Sequence, residues 1–345
     1  MEFNIIDPLA DERWGDFAAK HPKASVFHQP GWLEALARTY GYEVFVVTST
    51  ATGSALMDGV VFCRVASWIT GTRAVSLSFS DHCEPLMNAD QIPELCRYLV
   101  DRCGGQGWKY VELRPREWNG GGQSQFRGNQ AFCFHTLDLT QSIEHLFQGF
   151  HRDSIQRKIQ RAESERVSYE AGSSEGLVDE FYGLLVMTRK RHRLVPQPRV
   201  WFRNLVTYLG AKLQIRIARK DGVAIAAILS LRHGASVVFK YGCSNEQFHN
   251  LGAMPFLFWK LIEESKSSGA EELDFGRSDC DQQGLITFKD RFGTRKESLN
   301  YFRYSRAQRA TTGFGPARRL MDRFVPLVPD TLLPAAGKVL YRHMG

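Results

Sequence analysis

The chain has 345 residues, enough for two domains of ordinary size, and its 43% hydrophobic and 23% charged residues exclude a disordered chain. A formal net charge of +7 permits an anionic partner without naming one. The seven cysteines (63, 83, 96, 103, 133, 243, 280) hold no Cys-x-x-Cys pair, which argues against a zinc site or a disulfide framework and for reduced, buried thiols.

In chain order, residues 3–6 read as a strand, followed by a short helix with Leu9, Trp14 and Phe17. Pro30 suits the first turn of a helix whose apolar stripe is Trp32, Leu33, Leu36 and Ala37. Strands are expected over 43–48, 57–65 and 74–79, an amphipathic helix over 92–103, and strands over 110–113 and 131–139. The second half opens with a helix at 142–150 and a basic helix at 151–166, in which Ile155, Ile159 and Ala162 form the buried stripe. Helices at 177–192 and 201–209 follow. Three strands (213–219, 224–232, 236–241) are joined by Lys220-Asp221-Gly222 and His233-Gly234, short turns that mark a β-meander. Residues 237–304 then give strand, polar loop, apolar helix (255–266), short strand (272–275), short helix and final strand. The acidic start, broken by Pro8, does not read as a secretory signal, and no run approaches the about eighteen apolar residues of a membrane span. A cytoplasmic protein is expected.

The fold class expected is mixed α/β. The two halves share a plan without any letter-level repeat, and domains are expected at 1–140 and 141–310. Residues 311–345 form a tail. Between Arg303 and Arg323 six arginines accompany one acid, Asp322, a local excess of +5, and Leu320, Met321, Phe324, Val325 and Val328 form a stripe among them. That segment suits either an anionic membrane surface or packing on the body of the protein.

Several stretches can carry chemistry. Gly252, heading a helix, is either an ordinary turn glycine or a place where backbone N–H groups grip a phosphate. Lys289 beside Phe288 reads as a solvated helix face or as a fixed charge for a developing oxyanion. Asp274 and Arg277, where a strand becomes a loop, read as a structural pair or as site residues. Asp81 and His82 belong to a turn that would serve as a substrate-recognition loop. Arg152, Arg157, Lys158 and Arg161 read as a solvated helix face or as a phosphate site, with Arg157 and Arg161 one helical turn apart. No metal site is expected, and the core-like spacing of the aromatics does not indicate DNA.

The runs Phe27-His28-Gln29-Pro30-Gly31-Trp32, Arg157-Lys158-Ile159-Gln160-Arg161-Ala162, Gly252-Ala253, Asp274-Phe275-Gly276-Arg277-Ser278 and Phe288-Lys289-Asp290-Arg291-Phe292-Gly293 carry a resemblance. Over about residues 25–305 the chain resembles the GNAT-like acyltransferase family that contains the FemA/FemB/FemX peptidoglycan-bridge enzymes and the BioF2-like acetyltransferase domains. The resemblance implies two tandem GNAT-like domains, each a twisted mixed sheet flanked by helices, with acyl transfer on the second. It implies a role for Phe288 and Lys289 in stabilising charge on the transferring acyl group. It also implies an acyl-CoA or an aminoacyl-tRNA donor, since the GNAT pyrophosphate loop is reduced here to Leu251-Gly252-Ala253. The function expected is N-acyl transfer to an amine on a cell-envelope or exopolysaccharide precursor, at the cytoplasmic side of the membrane. In that reading Tyr241, Gly242, Gly252 and Ala253 hold the donor and Asp274 takes a proton. Arg157, Arg161, Arg277, Asp81 and His82 serve the acceptor and its phosphates. The alternative is a catalytically degenerate pair that binds a glycan or a lipid phosphate.

Overall fold

The computed structural model describes residues 2–118, 125–306 and 333–344. The basic stripe at 320–328, and with it most of the expected tail, lies outside them. The chain begins with β1 (Asn4–Ile6) and α1 (Glu12–Lys20), which Asp11 caps by accepting from the Arg13 N–H. Pro30 opens α2 (Pro30–Tyr40), and Gly41 closes it in the left-handed conformation at φ +70°. Then come β2 (Glu43–Thr48), β3 (Val60–Val65), β4 (Arg73–Ser76), α3 (Ile92–Gly105), β5 (Tyr110–Leu113) and β6 (Arg127–Asp138). After α4 (Ile143–Gly149) a π-helical turn, Arg152–Gln156, runs into α5 (Arg157–Ser164). They are followed by β7 (Ser168–Gly172), α6 (Glu175–Arg191), α7 (Arg199–Leu209), β8 (Leu213–Lys220), β9 (Val223–His233) and β10 (Ser236–Ser244). The last elements are α8 (Ala253–Ser267), β11 (Glu272–Asp279), α9 (Gln283–Asp290), β12 (Arg295–Ser305) and α10 (Leu333–Tyr341).

These elements divide into two compact units. The first takes the described residues of 2–132 with 298–306 and 339–344, the second those of 133–297 with 333–338. The division falls inside β6, not near Thr140. Residues 298–306 go with the first unit because Phe302 to Ser305 ladder antiparallel with Leu113 to Tyr110.

In the first unit the strand order is β1-β2-β3-β4-β5-β12, antiparallel except for the parallel β4–β5 pair. Leu95, Leu99 and Cys103 of α3 bury their stripe against Phe45, Phe62, Val111 and Leu113. In the second unit the order is β6-β11-β10-β9-β8-β7; β7 to β10 are antiparallel and β10–β11 are parallel, joined by α8. Asp221 (φ +51°) and Gly222 (φ +80°) make the two-residue turn between β8 and β9, the left-handed pair whose twist matches the strands it joins. Each unit thus repeats meander, helix, parallel strand: β2–β3–β4, α3, β5 in one and β8–β9–β10, α8, β11 in the other. This is the mixed α/β, tandem plan expected from the sequence.

One buried ionic knot holds the last strand of the first unit. Glu112, 1% exposed, accepts from Arg114 Nε at 2.9 Å and from Arg303 Nη2 at 2.6 Å. Burial alone would raise its carboxyl, but the charges of Arg114 and Arg303 outweigh that and hold it below the ordinary carboxylate range. Replacing Glu112 by Gln removes the buried negative charge that two half-buried guanidinium groups share. Urea unfolding of Glu112→Gln should show a loss of about 3–5 kcal/mol, against which an unchanged midpoint would count.

Candidate active site

The second unit opens a cavity where its parallel strands cease to pair. β10 and β11 are in register only from Ser236 to Val238 against Glu272 to Asp274. Between Phe239 and Tyr241 the register of β10 against β9 also shifts, so one extra residue bends the strand. The cavity is about 360 Å³. Phe239, Gly242 and Ser244 of β10 line it, with Gly252 to Pro255 and Phe258 at the start of α8. Ser154 and Ile155 of the π-helical turn, Lys158 of α5, Leu285, Phe288 and Lys289 of α9, and Arg291 complete much of the wall. The wall is mostly aromatic and aliphatic, with three cations set into it.

Two glycines make room for this arrangement. Gly252 has φ +74°, and a Cβ there would stand 2.2 Å from the Lys158 carbonyl oxygen, so both conformation and packing demand glycine. A Cβ at Gly242 would meet the Phe239 ring at 2.9 Å, so glycine there lets that ring lie along the strand. Pro255, in the first turn of α8, carries no N–H. The helix end therefore presents fewer donors than an uninterrupted turn would.

Lys289 is the buried charge of the site, 2% exposed, with Nζ donating to the carbonyls of Gly276 at 2.7 Å and Arg277 at 3.2 Å. The stretch that receives it lies within β11, not in the loop expected after residue 275: Gly276 takes φ +71°, and the buried Asp274 carboxylate accepts from the Gly276 N–H. Phe288 stands edge-on to Phe258 and Phe292, which fixes the helix turn that carries the lysine.

His135, fully buried on β6, was not marked by any sequence signal. Its Nε2 lies 3.1 Å from Asp290 Oδ1, and its Nδ1 has no hydrogen-bond partner among the described residues. Burial first, then the charge of Lys289, pushes the imidazole below its ordinary value, against the pull of Asp290. His249, at the cavity, is lowered in the same direction, mainly by burial and then by Arg191.

The residues named from sequence fall into groups. Lys289, Phe288, Gly242, Gly252 and Ala253 share the cavity wall, and Asp274 and Arg277 support it through the part of β11 that binds Lys289. Tyr241 is buried away from that wall: its hydroxyl accepts from Trp201 Nε1 at 2.9 Å and Gln197 Nε2 at 3.0 Å. Arg157 and Arg161 are exposed, Arg157 paired with Asp153 at 2.8 Å, and it is Lys158 between them that lines the cavity. Asp81 and His82 belong to the first unit, where the Asp81 carbonyl accepts from Tyr301 and His82 packs edge-on against Phe27. Lys158 is among the basic residues read as suited to phosphate; the sequence reading passes over Arg291 and His135. Arg291 stood in the quoted Phe288–Gly293 run, whereas a lone histidine in a strand gives no signal. Among the described residues no group of three or more His, Cys, Asp or Glu is placed to hold a metal ion, and no helix is long and apolar enough to cross a membrane.

Residues 149–289 match the family model of the acetyltransferase (GNAT) domain. That stretch of the second unit is thus similar to GNAT domains, and the fold of the chain is similar to that of FemX. The crystal structure of FemX superposes with a TM-score of 0.69 at 13% identity, covering 94% of this chain and 100% of that one. A tandem GNAT protein from the clavulanic acid biosynthesis pathway gives 0.52 at 12% identity over 90% and 99% of the two chains. L-PGS of Bacillus licheniformis gives 0.51 at 13% identity over 77% and 86%. The comparison with curated proteins gives no match.

Because the folded His135 holds its proton less tightly than the unfolded chain, whose histidines titrate near 6.5, the unfolded state binds more protons below that pH. His21, His192, His233 and His249 are lowered too, each chiefly by burial. Stability should therefore be full above about pH 6.5 and fall as the pH drops below it. Urea midpoints at about pH 7.5 and 5.5 check this, and His135→Gln should lessen the drop.

Proposed function

We propose that the chain is an N-acyltransferase that moves an acyl or aminoacyl group from an activated donor to a primary amine on a cell-envelope or exopolysaccharide precursor. The observation that carries this reading is the seating of a buried, immobilised lysine in the wall of a mostly apolar cavity in the GNAT domain. In the reaction the neutral amine nitrogen attacks the donor's carbonyl carbon. A C–N bond forms, the bond to the sulfur or oxygen leaving group breaks, and the nitrogen's proton passes by water to that leaving group. The charge that builds on the carbonyl oxygen is met by the Lys289 ammonium, whose position is already set and needs no rearrangement. Asp274, which holds the Gly276 N–H, acts here as a positioning residue for the stretch of β11 that orients Lys289.

The donor we favour is acyl-CoA, with aminoacyl-tRNA as the alternative. Apolar rings suit the uncharged arm of such a donor, and Lys158 and Arg291 supply charge for its phosphate. Gly242, Gly252 and Ala253 border the same space, and Tyr241 supports β10 from its other face. Arg157, Arg161 and Arg277 are proposed to meet phosphates of donor or acceptor, and the Asp81-His82 turn to take part in acceptor recognition. An acceptor of this kind places the reaction at the cytoplasmic face of the membrane.

The test is mass gain on amino-sugar and peptide amines in the presence of acyl-CoA or aminoacyl-tRNA, with ribonuclease sensitivity separating the two donors. Lys289→Ala should lower turnover by about 10²–10³ while thermal unfolding confirms a folded protein. Near wild-type turnover would remove Lys289 from the mechanism. Tight binding of the acceptor with no product from any donor would leave only a binding role.

A further inference from the structure

The hairpin loop between β3 and β4 carries two large apolar side chains that the fold does not bury. Trp68 is 88% exposed and Ile69, its neighbour, 55% exposed. This exposure is built into the loop. The Gly71 N–H donates to the Ser67 carbonyl at 2.8 Å, and Ser67 Oγ accepts from the N–H groups of Thr70 at 2.9 Å and Ile69 at 3.2 Å. Thr70 Oγ1 donates to the His343 carbonyl at 3.1 Å, and the Trp68 ring stands edge-on to the His343 ring. The loop is thus pinned to its own strands and to the chain's last residues, and the two side chains are held outward. Isolated apolar residues on a surface need no explanation, but two consecutive ones on a pinned loop do.

Cations adjoin them. Lys109 is exposed and its Nζ donates to the Thr70 carbonyl at 3.3 Å; Arg342, also exposed, precedes the histidine on which Trp68 rests. We propose that this loop is a contact with an anionic lipid surface, in which Trp68 and Ile69 enter the interface and Lys109 and Arg342 meet lipid phosphates. A hairpin tip of two side chains offers little of the area of roughly 800 Å² per partner that a stable protein interface buries. A fluid interface can close around such a tip. Tryptophan, with an apolar body and one N–H, is suited to the headgroup level, and apolar insertion plus basic charge are the two signals that together give stable surface binding. The inference is independent of the acyl-transfer reading, since it concerns where the protein resides and uses no residue of the cavity.

The test uses the full chain with sedimented vesicles of phosphatidylcholine, alone or with about a third phosphatidylglycerol. The wild type should bind the anionic vesicles, less so as salt rises. Trp68→Ser with Ile69→Ser should weaken that binding about tenfold or more, from the apolar area no longer removed from water. Lys109→Glu should weaken it about fivefold or more on anionic vesicles only. Binding by the double variant equal to that of the wild type would overturn the proposal, as would failure of the wild type to bind anionic vesicles. So would self-association without lipid that the double variant abolishes, because the loop would then be a contact between copies. Acyl transfer by the variants in solution is a separate readout, which leaves the two readings distinguishable.

Discussion

A lysine ammonium taken out of water must find oxygen atoms to replace its hydration, and the second unit is shaped around meeting that demand for Lys289. An unpartnered ammonium in a low-dielectric interior costs several kcal/mol or loses its proton. Here the carbonyls of Gly276 and Arg277 converge on it, which requires a backbone conformation that Gly276 adopts at φ +71° and that the Asp274 carboxylate holds from below. The Asp274–Arg277 run and the Phe288-Lys289 pair are therefore one device. The first builds the receptor for the charge and the second delivers it on a helix locked by aromatic packing.

The space in front of that charge has a different origin. Parallel strands that pair for only three residues, followed by a bulge in β10, leave a gap that the aromatic side chains around it narrow without filling. Gly252 is packed so closely under the Lys158 carbonyl that the π-helical turn and α5 become a wall of the cavity. This close approach explains why a single glycine suffices at the head of α8. It admits a neighbouring helix, and with Pro255 in the first turn the binding of an anion falls more to the side chains of Lys158 and Arg291 than to the helix end. The first unit repeats the order of elements but spends its buried charges differently, on a Glu112–Arg114–Arg303 knot that ties its last strand into the sheet.

The sequence alone determined the alternation of meanders, helices and further strands, the Asp221-Gly222 turn, and the runs that carry the GNAT resemblance. Each is set by local spacing or by a residue's own backbone preferences. Strand β7, Ser168–Gly172, escaped because its short, polar sequence has no period; its pairing with β8 makes it a strand. Only the tertiary structure decided that Tyr241 serves the core while Gly242 faces the cavity, that Lys158 and not Arg157 or Arg161 reaches it, and that His135 stands buried beside Asp290. On a helix or strand adjacent residues face different ways, and a bulge or a π-helical turn shifts that phase by an amount no pattern of letters records. The direction of a side chain, and so its chemistry, follows from packing between segments far apart in the chain.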